Sequence, residues 1–149
     1  MGKRRSSREL ALQLLYQLDS LISSNSEKAL IQESKKEFWE NCGVNNVGRD
    51  IREYSDIIIN GTLDNIEGID KIIDKYSRNW SISRMSKIDR NILRISVYES
   101  VYLKDAPPAV TINEAVELAK KFGDEGSSAF INGILDSVRI DYCKGESSL

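Results

Sequence analysis

The chain has 149 residues, 40% hydrophobic and 30% charged, a composition typical of a single globular domain. No run of about 18 apolar residues is present, which argues against a membrane-spanning helix. Gln13, Gln17 and Asp19 interrupt the segment after the basic N-terminus, so this segment does not resemble a signal peptide. We therefore expect a cytoplasmic protein in which residues 1–149 form one domain.

The net charge of −2 argues by itself against a nucleic-acid-binding protein, but the charges are unevenly distributed. Residues 1–8 contain Lys3, Arg4, Arg5 and Arg8 and no acidic residue, so they carry +4 and the remainder carries −6. This segregation is typical of a basic arm on an acidic body. A solvated, disordered terminus is the alternative explanation.

The first predicted helix covers residues 6–22, where leucines recur at helical spacing. Ser6 and Glu9 have the spacing of a capping box, which predicts that this helix begins at Ser6 or Ser7. Residues 1–6 would then form a flexible basic arm. Such an arm would lead into a helix N-terminus, where backbone amides also attract phosphate.

Three more helices are predicted in the first half of the chain. The first two cover about 27–41 and 49–67, and a short one carries Ile69, Ile72, Ile73 and Tyr76. The run Ile57-Ile58-Ile59 is β-prone, but its flanks favour a helix. Residues 79–85 are predicted to be a linker anchored by Trp80.

Three further helices are predicted towards the C-terminus. Ser86 and Asp89 predict the cap of a central helix over 87–104, apolar on more than one face. Thr111 and Glu114 predict the cap of a helix over 112–122, which Gly123 would terminate. The last helix covers about 126–141, and the tail 144–149 is predicted to fray. The fold class is therefore all-α, with about seven helices in a bundle-like arrangement.

No constellation of residues for covalent chemistry is recognisable. The chain has no histidine, which removes the commonest general base and metal ligand. It has no glycine-rich phosphate loop and no Gly-x-Ser-x-Gly motif. Cys42 and Cys143 are far apart and are expected to be free thiols, and carboxylate pairs such as Asp70 and Asp74 are expected on solvated helix faces. We predict no enzymatic activity, no cofactor and no metal site.

Three segments carry a resemblance to a known family. They are Arg4-Arg-Ser-Ser-Arg-Glu-Leu-Ala-Leu-Gln-Leu-Leu-Tyr16, Ile88-Asp-Arg-Asn-Ile-Leu-Arg-Ile-Ser-Val-Tyr-Glu99 and Ala109-Val-Thr-Ile-Asn-Glu-Ala-Val-Glu-Leu-Ala-Lys-Lys-Phe-Gly123, the last continuing to Phe130-Ile-Asn-Gly-Ile-Leu135. In order and spacing they resemble the NusB family of bacterial transcription antitermination factors. The resemblance extends from Arg4 to Val138 and is weakest over 23–85.

This resemblance implies a fold of two packed small helical bundles and a function without catalysis. Proteins of this kind pair with NusE, a ribosomal small-subunit protein, and hold boxA-type single-stranded RNA for the RNA polymerase antitermination complex. By resemblance, the RNA-binding residues are Lys3, Arg4, Arg5, Arg8, Ser127 and Phe130, and the NusE-facing residues are Tyr16 and Asp89. Some members form homodimers, so a homodimer is also compatible with the resemblance.

Several assignments have alternatives. Phe130 would equally suit core packing, and Asp89 would equally suit a role at a helix N-terminus. Asp89 stands where a glutamate is found in relatives, and Gly126 where an acidic residue is found. NusB-like domains also precede the catalytic domain of ribosomal RNA cytosine methyltransferases, but 149 residues would leave no room for that domain. A protein-interaction module without RNA binding is the third hypothesis.

Overall fold

The computed structural model describes residues 2–41, 47–78 and 80–143, and all regular structure in these ranges is helical. The α-helices in these ranges are α1 (Lys3–Ser23), α2 (Lys28–Asn41), α3 (Arg49–Asp64), α4 (Ile66–Tyr76), α5 (Lys87–Val97), α6 (Pro108–Phe122) and α7 (Ser127–Tyr142). A 3₁₀ turn, Ile82–Arg84, precedes α5, and a π-helical segment, Tyr98–Leu103, continues it. The predicted fold class and helix number are thus confirmed.

Some predictions fall outside the described residues. They concern Cys42, residues 43–46 between the second and third predicted helices, Asn79 of the linker and the tail 144–149. Cys143 is described: it is buried, forms no disulfide, and its Sγ lies 3.6 Å from the Ser100 carbonyl oxygen. The chain divides into two compact units, residues 1–59 and 60–149.

The first unit contains α1, α2 and most of α3. Its core combines leucines of α1 with an aromatic pair on α2 and the inner face of α3; the buried residues include Leu12, Leu14, Leu15, Leu18, Phe38, Trp39, Tyr54, Ile58 and Ile59. Ile57 is 46% exposed while Ile58 and Ile59 are fully buried. The isoleucine run is therefore part of an amphipathic helix, as predicted.

The second unit is organised around α5, which contacts α4, α6 and α7. Every residue of α5 from Arg90 to Val97 is buried, which confirms its predicted central position. Arg94 is 3% exposed, and its Nε and Nη2 atoms donate to the two carboxylate oxygens of Asp70, each at 2.9 Å. Asp74 is exposed, as predicted, and accepts a hydrogen bond from the Ile82 amide at 2.8 Å, whereas Asp70 is only partly exposed because it pairs with Arg94.

The helix starts test the three predicted capping boxes. Ser86 caps α5 as predicted, accepting a hydrogen bond from the Asp89 amide at 3.1 Å. Helix α1 begins at Lys3 rather than at Ser6 or Ser7. Ser7 is buried, and its hydroxyl lies 2.9 Å from the Lys3 carbonyl and 2.8 Å from the Ile51 carbonyl. Ser6, the serine of the predicted capping box, lies inside α1 and is exposed, while Ser7 contacts α3.

Helix α6 begins at Pro108 rather than near residue 112, so the predicted box of Thr111 and Glu114 is also wrong. Proline suits the first turn of a helix because its fixed φ matches helical geometry and its missing N–H is not needed there. Thr111 consequently lies within the helix and is buried.

Two glycines allow a stacked tyrosine pair to lie close to the helix backbone. Tyr98 and Tyr102 stack with ring centroids 6.2 Å apart. A Cβ atom at Gly61 would lie 2.0 Å from Cζ of Tyr98, and one at Gly68 would lie 2.6 Å from the Tyr102 hydroxyl. The ring of Tyr98 thus occupies the space that any larger residue at position 61 would need.

We expect Gly61→Ala to destabilise the chain by about 1–3 kcal/mol, because the added methyl group overpacks the Tyr98 ring. Chemical denaturation monitored by circular dichroism would measure this change in the free energy of unfolding. Gly133→Ala is the matched control, since Gly133 is also helical but a Cβ there meets nothing within 4 Å. The control should gain up to about 1 kcal/mol from helix propensity. Equal effects of the two substitutions would contradict the packing argument.

Candidate nucleic-acid and partner interface

The first turns of α1 are cationic. Lys3, Arg4 and Arg5 are exposed, and no acidic residue lies in the first turn. We call these three residues the cationic turn. Gly2 precedes them with a φ of +156°, a conformation that suits glycine, and offers no side chain to cap the helix amides. The basic residues are therefore part of the helix and not of an arm that precedes it.

Helix α3 contributes to the surface beside the cationic turn. Lys3 Nζ lies 3.0 Å from Oδ2 of Asp50, in an exposed ion pair. The guanidinium of Arg4 lies over the Tyr54 ring, 4.1 Å from its centroid. A shallow depression of about 390 Å³ is lined by Lys3, Arg4, Ser7, Asp50, Glu53, Tyr54 and Ile57. Two acidic side chains thus balance two basic ones along this depression, so the positive charge predicted from the sequence is partly compensated.

Arg8 differs from the other predicted RNA-binding arginines. It is only 5% exposed, and its guanidinium lies 5.9 Å from the Tyr54 centroid. A guanidinium in this position supports the packing of α1 and is not presented to a ligand at the surface. The structure therefore separates Arg8 from the cationic turn.

A second depression, of about 310 Å³, lies in the other unit and brings together three predicted site residues. It is lined by Trp80, Arg84, Met85, Ser86, Asp89, Asp124, Gly126, Ser127 and Phe130. We call it the Asp89 depression. Phe130 is half-buried along this depression, so its ring is neither in the core nor fully exposed. A residue predicted to contact RNA and one predicted to contact NusE therefore line the same depression.

Ser127 is held inside this arrangement. It is 3% exposed, and its Oγ accepts a hydrogen bond from the Asp124 amide at 2.9 Å. Gly123 allows this close approach, because a Cβ at position 123 would lie 2.6 Å from the Ser127 side chain. Ser127 thus shapes the loop before α7 and presents little surface for a direct contact with RNA.

Sequence reasoning missed two contributors to these surfaces. Tyr54, the ring under Arg4, lies in the region where the family resemblance is weakest. Trp80 was predicted to be a linker anchor, but it is 50% exposed, and the Arg84 guanidinium lies 5.7 Å from its ring. At Trp80, the sequence signal that could have revealed this contact is the basic residue Arg84 in the same predicted linker. Nothing local in the sequence pairs Tyr54 with Arg4.

The remaining predicted partner residue is Tyr16, on α1. Its side chain is 45% exposed, which leaves the ring accessible at the surface of the first unit.

Within the described residues, no group of three or more metal-ligating side chains comes together. None of the described helices combines the length and apolar character needed to cross a membrane.

Burial raises the pKa of the Asp89 carboxyl above its usual range, and the nearby Asp124 carboxylate raises it further. The hydroxyls of Ser127 and Ser86 act in the opposite direction but do not cancel the shift. A carboxyl group with a raised pKa binds a proton more tightly in the folded chain than in the unfolded chain. Its ionised form is therefore a source of instability that a neighbouring cation would relieve.

We expect Asp89→Asn to raise Tm at pH 7 by roughly 1–3 °C, because the variant buries no charge at this position. The difference should shrink as the pH falls through the raised pKa of the folded-state carboxyl, and it should vanish below the pKa of the unfolded chain, about 3.9. Thermal unfolding across a pH series would measure it. Glu125→Gln is the control, since it removes one charge from an exposed position nearby. Similar pH profiles for both variants would contradict the assignment to Asp89.

Comparison with known proteins identifies the family. Residues 5–139 match the model of the NusB family. The chain is 44% identical over 151 residues to the transcription antitermination protein NusB of Thermodesulfovibrio yellowstonii, covering 98% of each chain. It is 31% identical to the structure of T. maritima NusB, with a TM-score of 0.79 over 95% of this chain and 93% of that one.

A further solved structure contains the antitermination factors NusB and NusE in complex with double-stranded RNA. The chain is 32% identical to it, with a TM-score of 0.79 over 95% of this chain and 99% of that one. The curated relatives are named transcription antitermination proteins, a non-enzymatic function that agrees with the prediction that the chain performs no covalent chemistry. The resemblance inferred from the sequence is confirmed, and the chain belongs to the NusB family of transcription antitermination proteins.

Proposed function

We propose that this chain is a cytoplasmic transcription antitermination factor that binds boxA-type RNA of ribosomal RNA operons together with NusE. By holding nascent RNA in the RNA polymerase antitermination complex, it would prevent premature termination. It acts by binding alone and needs no cofactor. The family membership and the relatives' names support this function, as does a related structure that contains NusB, NusE and RNA.

The cationic turn is the single observation that carries the RNA-binding part of the proposal. Cations at a helix N-terminus oppose the macrodipole, each at a cost of about 0.3–1 kcal/mol. Lys3, Arg4 and Arg5 stand there with no compensating acid in the first turn of α1. A phosphate group would relieve this repulsion, since the helix amides and the basic side chains both attract an anion. The arrangement suits RNA binding better than it suits stability.

The structure suggests different roles for the predicted RNA-binding residues. We assign direct phosphate contacts to Lys3, Arg4 and Arg5, and a supporting role to the buried Arg8. Because Asp50 lies 3.0 Å from Lys3, an RNA phosphate must compete with this carboxylate. In the Asp89 depression, the half-buried Phe130 ring is suited to stacking on an unpaired base, and Ser127 shapes the loop beside it.

We assign contacts with NusE to Asp89 and to Tyr16, one residue in each unit. Asp89 is a half-buried carboxylate of raised pKa, and a basic side chain from a protein partner would stabilise its ionised form. Tyr16 offers an exposed aromatic ring, a residue type enriched in protein interfaces. Since Asp89 and Phe130 line one depression, we place the meeting point of RNA and NusE there.

Replacing both Arg4 and Arg5 with alanine should weaken boxA-type RNA binding at least about tenfold, because two charge-assisted contacts are lost. The slope of log K against log salt should flatten by about 1.4, the value for two phosphates of a single strand. Fluorescence anisotropy with labelled RNA over a salt series, with NusE present, measures both quantities.

The matched control is Lys120→Ala with Lys121→Ala, which removes two exposed positive charges from α6. This control should leave the slope unchanged. If both double variants weaken RNA binding equally, the affinity depends only on the net charge of the chain, and the cationic turn is not the binding site. If neither has any effect, the chain is an interaction module that does not itself bind RNA.

Asp89→Ala should weaken binding to NusE about tenfold, because the partner's cation loses its counter-charge. Asp89→Glu keeps the charge and should restore most of the affinity. Isothermal titration calorimetry with NusE in the absence of RNA separates this effect from RNA binding. Unchanged affinity in the alanine variant would remove Asp89 from the NusE surface.

A further inference from the structure

We propose that Tyr54 is a positioning residue for RNA binding, which holds the Arg4 guanidinium in the orientation that receives a phosphate. This inference rests on the proposed function, because it assumes that the cationic turn binds RNA. It adds a residue from α3 that contacts no phosphate itself but fixes one that does.

The geometry of the pair supports this role. The Arg4 guanidinium carbon lies 4.1 Å from the Tyr54 centroid, within the range of a cation–π contact. Tyr54 is 7% exposed, whereas Arg4 is exposed at the surface. The ring therefore covers one side of the guanidinium as a fixed support and remains largely shielded from solvent itself.

Backbone contacts keep the two helices in register at this point. Ser55, which follows Tyr54, donates from its hydroxyl to the Ser7 carbonyl at 2.8 Å. The Ser7 hydroxyl lies 2.8 Å from the Ile51 carbonyl in return. These reciprocal contacts between α1 and α3 fix where Tyr54 lies relative to Arg4.

A held arginine binds a phosphate better than a mobile one. A free arginine side chain carries about 2 kcal/mol of rotamer entropy, part of which is lost when it is immobilised on a ligand. A guanidinium already resting on a ring loses less of this freedom during binding. The N–H groups of a guanidinium form the planar fork that a phosphate accepts.

The test is a double-mutant cycle on RNA affinity, using the full chain with NusE and boxA-type RNA. Tyr54→Leu keeps an apolar side chain but removes the ring, and it should weaken binding roughly three- to tenfold. In an Arg4→Ala background the same substitution should have no further effect. Tyr54→Phe retains the ring and should bind RNA like the wild type.

The outcomes separate this inference from the proposed function. If Tyr54→Leu weakens binding equally with and without Arg4, Tyr54 has only a structural role and the inference is overturned. If Arg4→Ala itself leaves affinity unchanged, the assignment of the cationic turn fails first. If Tyr54→Leu does not fold, Arg4→Lys replaces it, since lysine keeps the charge without the planar fork. Weaker binding with an unchanged salt slope would then support the inference, and wild-type affinity would overturn it.

Discussion

Two serine contacts between α1 and α3, made by Ser7 and Ser55, determine how the N-terminus of this protein is presented. Each serine hydroxyl contacts the backbone of the opposite helix, with Ser55 donating to the Ser7 carbonyl and Ser7 lying beside the Ile51 carbonyl. Buried polar groups are costly when unpaired, so this reciprocal pairing strongly favours one register of α1 against α3. Both the ring beneath Arg4 and the carboxylate beside Lys3 follow from that register. The first turns of α1 are thereby ordered as part of a packed pair of helices.

The same packing also limits the charge that the cationic turn presents. Asp50 and Glu53 line the depression that Lys3 and Arg4 border, so the local charge is nearly balanced. An exposed ion pair contributes at most about 1 kcal/mol, so under the proposed function an RNA chain with several phosphates would displace it. A single anion would gain much less binding free energy from displacing the same ion pair. The acidic residues of α3 would therefore favour polyanions over isolated ions.

Sequence periodicity predicts the helices well because each buries an apolar stripe in one of the two units. Helix starts are less predictable: Ser86 caps α5 as its local pattern indicates, whereas α1 extends past Ser6, its predicted cap, and begins at Lys3. The basic residues of the candidate site were recognisable as a cluster, but their exposure was not. Arg5 and Arg8 are alike in the sequence, yet only Arg8 is buried, because it lies further along α1, where Ser7, Ala11 and Leu12 are buried as well. Such distinctions arise from contacts between residues more than forty positions apart.

The Asp89 depression links the two proposed ligands through electrostatics. Before a partner binds, two carboxylates, Asp89 and Asp124, line it against one cation, Arg84, and this negative balance disfavours an approaching phosphate beside Phe130. Under the proposed function, a basic side chain of NusE at Asp89 reverses that balance and lowers the electrostatic cost of bringing RNA to the same place. Binding free energies are reciprocal, so bound RNA then strengthens NusE binding by the same factor. The half-buried Asp89 carboxylate destabilises the isolated chain. In this way it would also make the affinity for each ligand depend on whether the other is bound.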